Sequence, residues 1–173
     1  MNLTVNRTTD KSDVFQQINN ELNKIGFTIS NQDQSRPWGG FFVIDERQAT
    51  DFASHFFPHL EISDILIGNK LSPKILIVAP QKRLSWQYHF HRAEIWKVVA
   101  GTRVGVKISN SDDEPQEVRI LESDSFIQMD KGERHRLIGL ENWGIVAEIW
   151  QHTDPKKPSD EDDIVRLQDD FGR

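Results

Sequence analysis

The sequence predicts a mainly β protein: a double-sheet antiparallel jelly roll carrying an N-terminal helix and one short additional helix. Three observations carry this reading. Eight short runs rich in Val, Ile, Phe and Trp follow one another, many at spacings of about ten residues. Turn residues separate the later ones at Pro80, Gly101, 109–115, 131–132 and 141–142. Outside these runs, two stretches carry a helical period.

The first helix is expected over residues 9–25. Val14, Phe15, Ile18, Leu22 and Ile25 recur there at three- and four-residue steps, behind the candidate N-caps Asp10 and Ser12 and before Gly26. The second is expected over 50–57, capped by Thr50 or Asp51, presenting Phe52, Ala53, Phe56 and Phe57, and stopped at Pro58. Both are expected to pack outside the main body. The strands are GGFFVID from Gly39, KILIVAP from Lys74, LSWQYHFH from Leu84, EIWKVVAG from Glu94, TRVGVKIS from Thr102, QEVRIL from Gln116, SFIQM from Ser125 and GIVAEIW from Gly144. A jelly roll limits the exposed edges of so many short strands and leaves an interior that can hold a site. The tail over 152–173 is polar and carries proline, which by composition reads as a loose terminus.

A chain of 173 residues suits one domain that buries roughly two-thirds of its unfolded surface without disulfides or a structural metal. Any metal is therefore expected to be functional. No apolar run approaches the ~20 residues that span a bilayer, so no membrane partner is expected. The start MNLTVNRTTDKSD lacks the basic and apolar segments of a signal peptide, and cysteine is absent, so a cytoplasmic location is expected. The net charge of −6 repels a polyanion, which argues against nucleic acid as a partner. An anionic small molecule would need local basic residues or a metal to hold it.

Residues two apart on a strand share a face, so Gln87, His89 and His91 are expected to project together. Glu94 follows closely, and His135 lies on a later strand after the 131–132 turn. Imidazole, carboxylate and amide donors together suit one divalent transition metal (Zn, Fe, Mn, Ni or Co), with open positions for water or substrate. His55 and His59 also stand four apart, but Pro58 breaks the helix between them, and they read as surface histidines.

These spacings resemble the cupin motifs. Taking Gln87 and His89 as the first-motif pair leaves four residues before Glu94 and six between Glu94 and Gly101, with Gln in place of the usual first histidine. Pairing His89 with His91 leaves only two residues before Glu94. In the second motif, Asp130 stands where proline is usual, Gly132 and His135 match, and Gly139 replaces asparagine. The narrower string LSWQYHFHRAEIWKVVAGT resembles the signature of the mannose-6-phosphate isomerase type II family. RPWGG from Arg36, GERHRL and EDDIVRLQDDFGR resemble its other segments.

The resemblance covers roughly 36–173 and implies a double-stranded β-helix, the cupin jelly roll. It divides a single cupin domain over 1–173 into an N-terminal helical extension (1–35) and a metal-binding jelly roll (36–173). It implies Gln87, His89, Glu94 and His135 as metal ligands, with Zn the first choice, and an ordered tail from Glu161. It also implies a metal-dependent sugar-phosphate isomerase that interconverts aldose and ketose phosphates. His91 and Glu148 are its candidate proton-transfer groups, and Arg136 a candidate charge stabiliser. Candidate substrate-binding residues are Arg36, Trp38, Lys82, Arg134 and Arg166, with Trp38 the tryptophan expected to line a pocket and most others expected in the barrel core. The partner implied is a small-molecule sugar phosphate, with a homodimer as the candidate assembly.

Two departures bear on this reading. The first ~35 residues offer one helix and no phosphate loop, so the nucleotidyltransferase domain of bifunctional members is not expected. Extra sequence between Asp45 and Lys74, with Trp86 and Tyr88 at commonly aliphatic positions, points to a reshaped pocket. The competing readings are a non-catalytic cupin that binds a sugar phosphate or nucleotide sugar, and an iron-dependent oxygenase. Gln87 counts against the oxygenase.

Overall fold

The first helix forms where its period placed it. In the structure, a computed structural model describing residues 1–99 and 101–172, α1 spans Lys11–Lys24 and buries Val14, Phe15, Ile18 and Leu22. Gly26 ends it with a backbone at φ 92, a conformation that glycine adopts without a Cβ penalty. The Gly26 and Phe27 N–H groups then close back onto the carbonyls of Asn23 (3.1 Å) and Leu22 (2.9 Å).

The remaining elements are β1 (Ile29–Asp33), β2 (Gly39–Ile44), α2 (Ala49–Phe56), α3 (Ile62–Ile65), β3 (Lys74–Val78), β4 (Trp86–Tyr88) and β5 (Arg92–Val98). They continue with β6 (Val104–Ser109), β7 (Arg119–Leu121), β8 (Phe126–Met129), β9 (Arg134–Gly139), β10 (Gly144–His152) and β11 (Val165–Gln168). They pair antiparallel in a six-stranded sheet, β1-β2-β3-β10-β5-β8, and a five-stranded sheet, β11-β4-β9-β6-β7. The fold is the expected mainly β, cupin-like jelly roll. No helix of the described residues is long and apolar enough to cross a membrane.

The six-stranded sheet is covered on both faces. Ile75, Ile77, Ile95, Ile145, Ala147 and Ile149 pack against Phe15, Ile18, Phe52 and Phe56 of the helices. Their strand neighbours Leu76, Val78, Trp96, Val98 and Val146 face the barrel interior with Val104, Val106 and Leu137 of the other sheet. This explains why β3 is buried at every position and reads as a continuous apolar run. Each fully buried Ile or Phe contributes about 1.5–3 kcal/mol of transfer free energy, so the helical layer is an integral part of the core.

Several expectations are corrected. β1 pairs with β2 from within residues 1–35, so that extension is not wholly helical. The short α3 and strand β11 are additional elements. The tail is ordered against the barrel: β11 pairs with β4, which overrides the compositional reading of a loose terminus. Ala100, in the expected strand from Glu94, and Arg173, in the expected ordered tail, lie outside the described residues.

Candidate metal centre

Three sites in the chain converge inside the barrel. Gln87 on β4 and His135 on β9 are direct cross-strand partners, so their side chains leave the sheet on the same, inward side. His89 follows just after β4, where its carbonyl accepts the Gly132 N–H at 3.0 Å and ties this corner to the turn before His135. Glu94 reaches in from β5 on the opposite sheet, at the level of Trp150 on β10.

His89 Nε2 lies 3.0 Å from Glu94 Oε1, and His135 Nε2 lies 3.3 Å from Glu94 Oε2; all three residues are at most 3% exposed. The far side of each ring fixes its tautomer. His89 Nδ1 stands 2.6 Å from the Asp163 carbonyl and His135 Nδ1 stands 3.0 Å from the Glu133 carbonyl. A carbonyl only accepts, so both Nδ1 atoms carry the proton. In their neutral forms both rings then turn an Nε2 lone pair toward a carboxylate. Glu94 Oε2 and His135 Nε2 indeed have no hydrogen-bond partner.

Burial pushes the His89 imidazole below its usual pKa, toward the neutral form. Burial also disfavours charge on Glu94, but its contacts with His89, the Arg92 guanidinium and His135 outweigh it and hold this carboxyl well below its usual range. Lone pairs and an anion converging on one point are a donor set for a cation, and His89, Glu94 and His135 can hold a metal ion. Gln87 stands beside them, its Oε1 accepting from Ser85 Oγ at 2.5 Å.

Arg92 enters the same cluster. Its Nε donates to Glu94 Oε1 at 2.8 Å, and its Nη1 donates to Ser159 Oγ and the Asp160 carbonyl. Its guanidinium lies 3.6 Å from the centre of the Trp150 ring. Deeper along β10, Glu148 accepts the indole N–H of Trp96 (2.9 Å) and of Trp150 (3.1 Å). Burial and the nearby Glu94 charge push its pKa up to about 7. A carboxyl poised near neutrality suits proton transfer.

The cavity containing Gln87, Arg92, Glu94, Trp96, Glu148 and Trp150 opens past Arg36, Trp38, Phe41, Lys74, Glu161 and Arg166. The RPWGG turn builds one side of this mouth. Gly39 has φ 140, and a Cβ there would sit 1.9 Å from the Ile77 oxygen, so only glycine lets the turn lie against β3. Trp38 is thereby held at the cavity with its indole nitrogen unpartnered.

The structure brings together Gln87, His89, Glu94, His135, Glu148, Arg36, Trp38 and Arg166, and it separates the others. His91 was expected on the inward face, but β4 ends at Tyr88 and the two-residue alternation stops with it. Its N–H donates to Asp163, and its side chain lines a surface groove with the tail. Arg136 follows inward-facing His135 and so points to the outer face, bonded to Glu114 and the Gln168 carbonyl. Arg134 also lies outside, bonded to Asp112 and stacked on Tyr88. Lys82 is exposed in the turn before β4. Of the tryptophans, Trp96 and Trp150 join Trp38 in lining the cavity, while Trp86 is bonded to the Asp112 carbonyl and Trp143 to the Thr9 carbonyl.

Sequence reasoning missed Lys74, Arg92, Trp96 and Trp150 as cavity residues. The signal was period two: Arg92, Glu94 and Trp96 share one face of β5, and Glu148 and Trp150 one face of β10. Asp163 was also missed as the partner of His89, since a contact from the tail has no local pattern.

Fold and site together define a cupin-type jelly roll with an interior histidine–carboxylate centre. The mannose-6-phosphate isomerase C-terminal family profile matches residues 45–169. A mannose-1-phosphate guanylyltransferase of Salmonella montevideo is 30% identical over 146 residues, covering 84% of this chain and 24% of that protein. The xanthan biosynthesis protein XanB of Xanthomonas campestris pv. campestris is 30% identical over 138 residues, covering 80% and 23%. The chain belongs to the mannose-6-phosphate isomerase C-terminal family, and it spans about a quarter of the length of these curated relatives. Among solved structures, vicilin from Solanum lycopersicum superposes with a TM-score of 0.52 at 16% identity, covering 80% of this chain and 35% of vicilin. CapF bound to 3-isopropenyl-tropolone gives 0.51 at 15% identity, covering 82% and 34%. At these identities the likeness concerns the fold alone.

Proposed function

We propose that this chain is a metal-dependent isomerase that interconverts aldose and ketose sugar phosphates. The observation that carries the reading is Glu148: a buried carboxyl with a pKa near 7, held by two indole N–H groups in the cavity that Glu94, the carboxylate of the His89–Glu94–His135 cluster, also lines.

In this reading Gln87, His89, Glu94 and His135 hold one divalent metal, with Zn the first choice for imidazole and carboxylate donors. When bound, the metal supplies a Lewis acid that stabilises negative charge on adjacent carbonyl and hydroxyl oxygens of the sugar. The remaining work belongs to the chain. Glu148, ionised, takes the proton from C2 of the aldose and returns it to C1, while the proton of the C2 hydroxyl passes to the C1 oxygen, giving the ketose. Trp96 and Trp150 fix its two oxygens, so the carboxylate meets the substrate in one orientation. Arg92 braces Glu94 and closes the cavity floor against the tail. Trp38, Arg36 and Arg166 line the mouth, where the sugar and its phosphate enter. His91, Arg136, Lys82 and Arg134 face elsewhere and have no part in this scheme.

The test is NMR observation of the purified, metal-loaded chain with a panel of aldose and ketose phosphates. Interconversion of at least one pair, abolished by a chelator, supports the reading. Binding across the panel without interconversion would make the chain a sugar-phosphate-binding cupin instead.

A further inference from the structure

Lys74 is the least expected side chain in the cavity wall. It begins β3, otherwise a run of apolar residues, and its side chain is only 6% exposed. The ammonium group sits 3.9 Å from the centre of the Trp150 ring and 5.6 Å from that of Phe41. A cation so deprived of water needs an anionic partner. Its partner is Glu161, which is 69% exposed and lies in the chain leading to β11, outside any strand.

The two halves of this ion pair are therefore unequal. Lys74 is desolvated and fixed, whereas Glu161 keeps most of its hydration and contributes little by being held. An incoming anion can replace such a carboxylate at small cost. The approach is also laid out: Arg36, Phe41, Glu161, Ile164 and Arg166 line both the inner cavity and an outer vestibule, so a ligand entering from the vestibule passes Glu161 first. Register fixes what lies beyond. Lys74 is the cross-strand partner of Glu148, and Glu94 stands on β5, the next strand beyond β10. Two strand spacings, about 10 Å, separate Lys74 from the Glu94 strand. A molecule with an anionic end on Lys74 can extend past Glu148 toward Glu94.

We propose that Lys74 is the anion-binding residue of this cavity, that its ligand is the phosphomonoester group of the substrate, and that Glu161 is a built-in carboxylate which this phosphate displaces. The inference rests on the sugar-phosphate part of the proposed function and adds the residue that reads the phosphate and the contact that competes with it.

The experiment is a calorimetric titration of the full chain with inorganic phosphate, a hexose 6-phosphate and the unphosphorylated hexose, for wild type, Glu161→Gln and Lys74→Met. Removing the competing carboxylate should tighten binding of inorganic phosphate and hexose 6-phosphate by ~3-fold or more. It should leave the unphosphorylated hexose unchanged. Lys74→Met should weaken both phosphate ligands by ~10-fold or more. Glu161 is exposed, so its variant remains informative even where Lys74→Met fails to fold. Unchanged or weaker phosphate binding in Glu161→Gln, or no phosphate binding by either wild type or Glu161→Gln, overturns the proposal. The isomerase reading fails separately: the predicted phosphate pattern without turnover sinks that reading alone, and turnover with an unaltered Glu161→Gln titration sinks the Lys74 assignment alone.

Discussion

Glu94 Oε2 and His135 Nε2 lie 3.3 Å apart in the barrel interior, and neither makes a hydrogen bond. Two buried acceptors facing each other are destabilising until a cation or proton sits between them. The chain is therefore expected to be more stable with metal than without. At a free metal concentration of one hundred times Kd, the gain is about 2.7 kcal/mol, visible as a rise in Tm that a chelator reverses. His135→Ala should abolish that rise.

Gln87 and His91 test which residues complete the donor set. Gln87→Ala should weaken metal binding by about 10-fold or more, measured by competition with a chromophoric chelator. His91→Ala should leave it within about 2-fold, because the His91 side chain lies in the outer groove. Equal losses for the two variants would restore the inward row that simple alternation predicts.

The pH dependence of turnover should report Glu148. Its pKa is raised to about 7 by burial and by Glu94, so the ionised, proton-accepting form accumulates as pH rises through about 7, and the rate should rise with it. Trp96→Phe removes one donor to the carboxylate form and so should move the midpoint of the pH–rate profile upward. A midpoint unmoved by Trp96→Phe and by Glu148→Gln would place the titrating group elsewhere.

His152 should make stability depend on pH. It is fully buried, its Nδ1 accepts the Ser159 N–H at 3.0 Å, and burial lowers its pKa from the usual 6.5 to about 4. Between these values the unfolded chain binds the proton and the folded chain does not. Stability therefore falls as pH is lowered from about 6.5 toward 4. His152→Asn should show a shallower fall of the urea midpoint across that window, with less of the tail protected from proteolysis at neutral pH.

Much of this architecture was legible in the sequence because it rests on local periods. The α1 stripe, the strands alternating into the barrel and the convergence of His89, Glu94 and His135 all survive in the structure. The failures share one physical cause. His91 left the inward face because β4 stops at Tyr88, and nothing within LSWQYHFH marks that end. Its end is set instead by Asp163, whose carboxylate accepts the Phe90 and His91 N–H groups from more than seventy residues away. Arg92 and Lys74 were invisible for the same reason. A charged residue in an apolar run reads as a surface position unless its partners, here Glu94, Ser159 and Glu161, are known.

The most direct measurement is exchange of the substrate's C2 proton with solvent deuterium, followed by NMR in the metal-loaded chain, because exchange reports proton transfer whether or not product accumulates. Exchange is expected into at least one hexose 6-phosphate, lost in His135→Ala together with the metal. Glu148→Gln should lower it by ~10²-fold or more while the metal stays bound. Hexose 6-phosphates that bind the metal-loaded wild type without any C2 exchange would contradict the isomerase reading.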